Sequence, residues 1–212
     1  VEEFITKPEL LKVLNNEGVC KVTAMEKHAK ENIIPILRPN TASLLTSLIR
    51  LHKPKQILEI GTAIGYSATL MLENTTPDAK LVTIEKFAEN VSLAKENFEK
   101  LGFNNRVKII EGDAIEVLPE LKDEYDFIFL DGPKGQYYKY LPYLIKLLKT
   151  GGVLFADNVL YRNMVFSGQF IPRKKRAIVN NLEKFLTLIS EHTELRSQII
   201  DLEDGVSISI KI

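Results

Sequence analysis

The stretch Leu58-Glu59-Ile60-Gly61-Thr62-Ala63-Ile64-Gly65-Tyr66-Ser67 joins an apolar run, Gln56–Ile60, to a helical stretch, Tyr66–Leu72, through two glycines four residues apart. A strand that turns through glycine straight into a helix is the first half of a β-α unit. Glycine at 61 and 65 lets the backbone turn tightly and come close to a ligand. The spacing is Gly-x-x-x-Gly. It is not the Gly-x-Gly-x-x-Gly of dinucleotide folds, which argues against a nicotinamide dehydrogenase.

Outward from this stretch the alternation repeats. Strand-like runs are expected at Gln56–Ile60, Lys80–Glu85, Val107–Glu111, Tyr125–Asp131 and Gly152–Asp157. Helices are expected between them at Tyr66–Leu72, Ala88–Lys100, Ala114–Leu121 and Tyr138–Leu148, and a long one from Lys174 to Glu191. Phe127-Ile128-Phe129-Leu130 is apolar on both faces, as in a parallel strand covered by helices on two sides. Ser197–Leu202 and Val206–Ile210 flank Glu203-Asp204-Gly205, and Asp-Gly between alternating strands signals an antiparallel hairpin. Upstream, helices are expected at Pro8–Asn16, at Thr23–Asn32 with a Thr23/Glu26 capping box, and at Pro39–Leu51 with Leu44, Leu45, Leu48 and Leu51 at helical spacing. No linker divides domains, so residues 1–212 read as one α/β domain with a helical leading part, 1–52.

The chain has 212 residues, 45% hydrophobic and 26% charged, enough to bury a full core without a disulfide or structural metal. One cysteine, Cys20, excludes an internal disulfide and points to a reducing, cytoplasmic setting. No apolar run approaches the roughly 18 residues of a membrane span, so no membrane partner is expected. His28, His52 and His192 match no metal spacing, and no Tyr-x-x-x-Lys occurs.

Ligands of open α/β sheets bind at the carboxyl ends of the strands, and these ends are informative here. The second strand ends in Glu85, 24 residues after Gly61, where a carboxylate can grip both hydroxyls of a ribose. The third leads to Asp113-Ala114, placed to read an adenine amino group. Glycine loop, acid and acid, in that order, suggest an adenosine-containing cofactor without a bound pyrophosphate. The fourth strand leads to Asp131-Gly132-Pro133-Lys134 and the fifth to Asp157-Asn158. Neighbouring strand tips bring Asp131, Asp157 and Asn158 within reach of one point. Three oxygen donors, two of them anionic, suit a hard cation such as Mg²⁺.

These motifs resemble those of the cation-dependent S-adenosylmethionine O-methyltransferases that include the catechol and caffeoyl-CoA enzymes, over nearly the whole chain. The resemblance implies a Rossmann-like sheet of seven mostly parallel strands with a reversed last strand. It implies S-adenosylmethionine as cofactor, lined by Leu37, Glu59, Gly61, Ser67, Glu85, Asp113, Ala114 and Asp131. It matches Asp131 and Lys134 to an Asp-x-x-Lys motif, and Asp157 and Asn158 to an Asp-Asn motif. Methyl transfer is an in-line displacement from a sulfonium, and a hydroxyl bound to Mg²⁺ loses its proton easily. Asp131 and Lys134 are the expected catalytic pair, with Lys134 taking that proton or stabilising the charge left behind. Members of the family are often homodimers, and the leading helices are the expected place for that contact.

Lys+Arg and Asp+Glu are equal at 28, yet residues 132–176 hold nine basic residues, one acid and five of the seven tyrosines, which reads as one basic, tyrosine-rich face. Pro172-Arg173-Lys174-Lys175-Arg176 opens the long helix, where cations meet the positive end of the macrodipole. Such a run suits a polyanionic substrate. Leu154–Leu160 followed by these cations resembles the bacterial branch that methylates 5-hydroxyuridine at the tRNA wobble position. Catechol enzymes commonly wall their substrate with tryptophan, and this chain has none. A tRNA substrate, bound through Arg173, Lys174, Lys175 and Arg176, is therefore expected ahead of a small catechol or hydroxycinnamoyl-CoA substrate. A non-catalytic nucleic-acid-binding protein with a vestigial adenosine site is the rival from another class, and the intact Asp131, Lys134, Asp157 and Asn158 speak against it.

Overall fold

A computed structural model describes residues 22–168 and 170–212; the expected Pro8–Asn16 helix lies outside them. Contacts divide the chain into two compact units, Val1–Ile36 and Leu37–Ile212. In the first, α1 (Thr23–Glu31) buries Met25 and Ala29. Its N-cap is Val22, so Thr23, the expected cap, is already the first helical residue.

The second unit carries the sheet. In chain order it holds α2 (Pro39–His52), β1 (Gln56–Ile60), α3 (Tyr66–Glu73), β2 (Lys80–Glu85), α4 (Ala88–Leu101), β3 (Val107–Glu111) and α5 (Ala114–Val117). Then come β4 (Tyr125–Leu130), α6 (Tyr137–Leu147), β5 (Leu148–Asp157), α7 (Arg176–Glu191), β6 (Leu195–Ile200) and β7 (Val206–Lys211). Short 3₁₀ turns extend α5 at Leu118–Glu120 and precede α7 at Arg173–Lys175. The strand order is β3-β2-β1-β4-β5-β7-β6, and β7 alone runs antiparallel to its neighbours. Seven strands with a reversed last one is the expected Rossmann-like methyltransferase architecture.

The sheet is buried on both faces because its central strands alternate one apolar set against another. Phe127, Phe129 and Phe155 stack on one side, with His52 tilted against Phe127. Leu58, Ile60, Ile128, Leu130, Leu154 and Ala156 join Tyr137, Tyr140, Leu144, Leu182 and Phe185 in one core cluster on the other. Burying one such side chain fully contributes roughly 1.5–3 kcal/mol. Because parallel strands need a crossover between them, four of the joins at the strand tips become tight turns in which polar residues collect.

Two expectations change at this level. The buried face of α2 is Thr41, Ala42, Leu45 and Ile49, while Leu51 is 81% exposed. Of the leucines at helical spacing, Leu45 is buried, Leu44 and Leu48 are half-buried and Leu51 is exposed. The segment 132–176 is also not one basic, tyrosine-rich face. Tyr137 and Tyr140 are wholly buried, and Lys149 pairs with Asp126 at 2.7 Å at the far, amino end of the strands. No described helix is long and apolar enough to cross a membrane.

Candidate active site

Motif residues 61–67 form a turn that no other sequence of side chains would make easily. Gly61 has φ +100°, and a Cβ there would stand 2.4 Å from the carbonyl oxygen of Asp131. Gly65 has φ +82° and would collide with the Phe98 ring at 2.7 Å. The first glycine brings the β1 tip against the β4 tip; the second lets α4 pack beneath the loop. Between them Ala63 takes φ +44°, which turns its amide onto Glu85 Oε2 at 2.9 Å.

Glu85 is buried at the end of β2 and also accepts the Phe87 amide through Oε1, 2.9 Å away. Each carboxylate oxygen has two lone-pair sites, so one on each oxygen is left to accept a hydroxyl. The carboxylate is therefore held in place before any ligand arrives. Asp113 caps α5 by accepting the Ile115 amide at 3.1 Å, and its other oxygen accepts Lys86 Nζ at 2.8 Å. The lysine bond first, and the amide second, hold the Asp113 carboxyl below its ordinary pKa. Ala114 beside it is buried, and Leu37 is buried two residues before α2.

Glu59 is wholly enclosed. Ser67 Oγ donates to its Oε1 at 2.5 Å, and Thr83 Oγ1 donates to its Oε2 at 2.6 Å. Thr62 and Thr83 hydroxyls meet at 2.6 Å and extend the chain of hydrogen bonds. Burial pushes the Glu59 pKa up to about 8 against the pull of the two hydroxyls. Glu59 and Ser67 thus brace the glycine loop from inside. Thr62 and Thr83 complete this brace and were missed in the sequence, where single threonines in a strand and a loop carry no signal.

The other half of the site is built on the tips of β4 and β5, which pair in register at Leu130 and Ala156. Asp131 and Asp157 follow these partners. Lys134 Nζ donates to Asp131 Oδ1, and the same ammonium lies 5.9 Å from the centroid of the Tyr137 ring. Asp157 is buried and accepts the amide of Asn158 at 2.7 Å. Burial, and then the negative charge of Asp131, push the Asp157 pKa up to about 7. Asn158 takes φ +58°, a left-handed conformation that asparagine tolerates better than most residues. Tyr137, fully buried, places its hydroxyl 3.2 Å from the carbonyl oxygens of both Leu130 and Asp157 and so pins the two tips together. The sequence shows Tyr137 only as one of five tyrosines in a basic segment and carries no sign of this role.

Among the described residues no group of three or more His, Cys, Asp or Glu side chains gathers at one point. A cation here would need the Asn158 amide oxygen beside the two carboxylates. Two neighbouring carboxylates, with one lysine for counter-charge, form an oxygen donor set that fits a hard divalent ion.

The four expected RNA-binding cations do not share one environment. Arg173, Lys174 and Arg176 are exposed. Lys175 is half-buried, donates to Tyr161 Oη at 2.8 Å and lies over that ring at 5.3 Å. The first turn of α7 contains no acid.

A family model described as O-methyltransferase matches residues 8–212. A catechol O-methyltransferase of Niastella koreensis is 28% identical over 81% of this chain and 80% of its own. A Staphylococcus aureus structure solved as a candidate caffeoyl-CoA O-methyltransferase is 33% identical, covers 96% of this chain and 98% of its own, and superposes with a TM-score of 0.88. A Podospora anserina methyltransferase bound to S-adenosylhomocysteine is 26% identical over 100% and 98% of the two chains, with a TM-score of 0.84.

Proposed function

The chain belongs to the O-methyltransferase family, and from that membership we propose that this S-adenosylmethionine-dependent O-methyltransferase acts on 5-hydroxyuridine at the wobble position of tRNA with help from a divalent cation. The observation that carries the substrate is the start of α7. Arg173, Lys174 and Arg176 stand exposed where a helix macrodipole favours acids, and no acid offsets them in that turn. A polyanion supplies the missing charge. The hydroxyl and neighbouring carbonyl of 5-hydroxyuridine present two oxygens side by side, as a catechol does.

Bound S-adenosylmethionine supplies an electrophilic methyl group, and a cation held by Asp131, Asp157 and Asn158 would acidify the acceptor hydroxyl. Glu85 grips the ribose with the lone pairs its two backbone donors leave open. Asp113 and Ala114 border the adenine. Lys134, tethered to Asp131, stands where it can take the acceptor proton or balance the oxyanion. Tyr137 holds the two strand tips at fixed separation, which keeps Asp131 and Asp157 positioned for the acceptor. The exposed Leu51 at the end of α2 suits a homodimer contact.

The test is direct. Purified chain, S-adenosylmethionine and Mg²⁺ are incubated with tRNA bearing 5-hydroxyuridine, or with a small catechol, and products are read by mass spectrometry. Methoxyuridine formed at low tRNA concentration, lost in EDTA and restored by Mg²⁺, is the expected result. Catechol methylation with no tRNA product would move the chain to small-molecule substrates of the same chemistry.

A further inference from the structure

The loop from Asn158 to Pro172 begins at the acceptor site and ends at the exposed cations. It is the most contorted stretch of the described backbone. Among the described residues nine non-glycine residues have positive φ, and five of them, Asn158, Tyr161, Arg162, Asn163 and Phe166, lie within residues 158–166. For arginine, tyrosine and phenylalanine this left-handed conformation is disfavoured, and it persists only where the surroundings impose it. The impositions are visible. Val159 and Val165 are buried, and the Val159 and Leu160 amides bond to the Gly205 and Asp204 carbonyls at 3.0 and 2.9 Å. Lys175 holds Tyr161, and Glu183 Oε1 accepts the Phe166 amide at 3.1 Å.

This bracing ends at Phe166, which is 62% exposed, and Phe170 four residues on is 83% exposed. A turn held this firmly and built only for packing would bury Phe166. Around them residues 158–176 carry Arg162, Arg173, Lys174 and Arg176, all exposed, and no acid. Exposed aromatic faces set among unpaired cations match unpaired nucleobases joined by phosphates. Every base has a π-face to stack, whereas a duplex hides those faces and offers only backbone and groove.

Resting on the tRNA reading, we propose that Phe166 and Phe170 are stacking platforms for the unpaired bases flanking the reacting one, while the four cations take the phosphates. The substrate is then a single-stranded RNA loop, read by stacking, and not a helical stem. Stacking and phosphate contact respond differently to salt. Counterion release makes phosphate affinity fall steeply with salt, and stacking adds affinity without changing that slope.

The experiment titrates the full chain with an anticodon stem-loop carrying 2-aminopurine beside the wobble base, at several salt concentrations. Phe166→Ala and Phe170→Ala should each weaken binding roughly tenfold, the worth of one lost stack. The salt slope should stay unchanged and the fluorescence quenching should fall. Phe→Tyr at either position should restore binding, and catechol methylation, if the wild type shows it, should not change. Arg173→Ala/Lys174→Ala/Arg176→Ala should instead flatten the salt slope. Alanine variants that bind and quench like wild type would overturn the proposal, as would equal binding of a blunt duplex. Loss of binding to vesicles of phosphatidylcholine and phosphatidylserine, with stem-loop binding intact, would reassign the loop to a membrane surface. A wild type that neither binds the stem-loop nor methylates hydroxyuridine tRNA would fail the underlying reading instead.

Discussion

Glu59 shows how one side chain can be legible in kind and misleading in place. Its motif marked it as lining the cofactor, yet it has no exposed surface and spends both oxygens on Ser67 and Thr83. Its proton has a consequence for stability. The folded chain holds that proton up to about pH 8, whereas an unfolded glutamate releases it near 4.5. Between those values the native state binds more protons than the unfolded one, so stability falls as pH rises through the window, by at most about 1.4 kcal/mol per pH unit. Glu59→Gln resembles the protonated form, and the two hydroxyls can turn to suit an amide. The variant should lose this slope, so the stability of wild type relative to Glu59→Gln should decline from pH 5 to pH 8. Denaturant titrations across that range check it; parallel curves would mean that Glu59 is ionised inside the fold.

At the scale of elements, the β-α alternation was open to reading because burial on both faces writes continuous apolar runs and glycine marks the first turn. Strands β1, β2 and β3 fall where expected, and β4 falls one residue short. The misses come from contacts made across long sequence separations. β6 occupies Leu195–Ile200, two residues earlier than expected, because a five-residue loop with left-handed Glu203 and Gly205 joins it to β7. That loop also closes the start of α2, where no local side chain caps the helix. Glu203 accepts the Asn40 and Thr41 amides at 3.2 and 3.1 Å and the Thr41 hydroxyl at 2.7 Å, a cap supplied from 162 residues away. Replacing Glu203 with Ala should cost about 1–2 kcal/mol, the value of a lost helix cap, and Gln should recover part of it. Asp204 pairs with Arg38 at 3.0 Å, but that arginine is half exposed, so Asp204→Asn should change stability by under about 1 kcal/mol. Thermal melts of the three variants rank the contacts; equal shifts would show that the loop's backbone, and not the cap, holds α2.

Across the whole molecule, the strand order divides the site into halves that meet at one residue. The tips of β1, β2 and β3 carry Gly61, Glu85 and Asp113, the groups that the proposed function gives to the cofactor, while the tip of β5 carries Asp157 and Asn158. β4 lies between β1 and β5, so Asp131 at its tip faces both. Its carbonyl oxygen abuts Gly61, and its carboxylate holds Lys134 and bears on Asp157. Damage should therefore separate by strand. Glu85→Ala should weaken S-adenosylmethionine at least roughly tenfold, about 1.4 kcal/mol, because it loses the ribose contact and loosens the Ala63 turn. Its response to Mg²⁺ at saturating cofactor should stay near that of wild type. Asp157→Ala should abolish turnover while keeping most of the cofactor affinity, since the carboxylate it removes touches only the acceptor half. Asp131→Ala should fail in both, since it removes the lysine tether, the proposed metal ligand and the proposed cofactor-side boundary at once. Calorimetry with S-adenosylmethionine and Mg²⁺ titrations of activity give the two readouts independently. If Asp157→Ala lost cofactor binding as severely as Glu85→Ala, the two halves would be one coupled site, and the carboxylate on β5 would serve the cofactor as well as a cation.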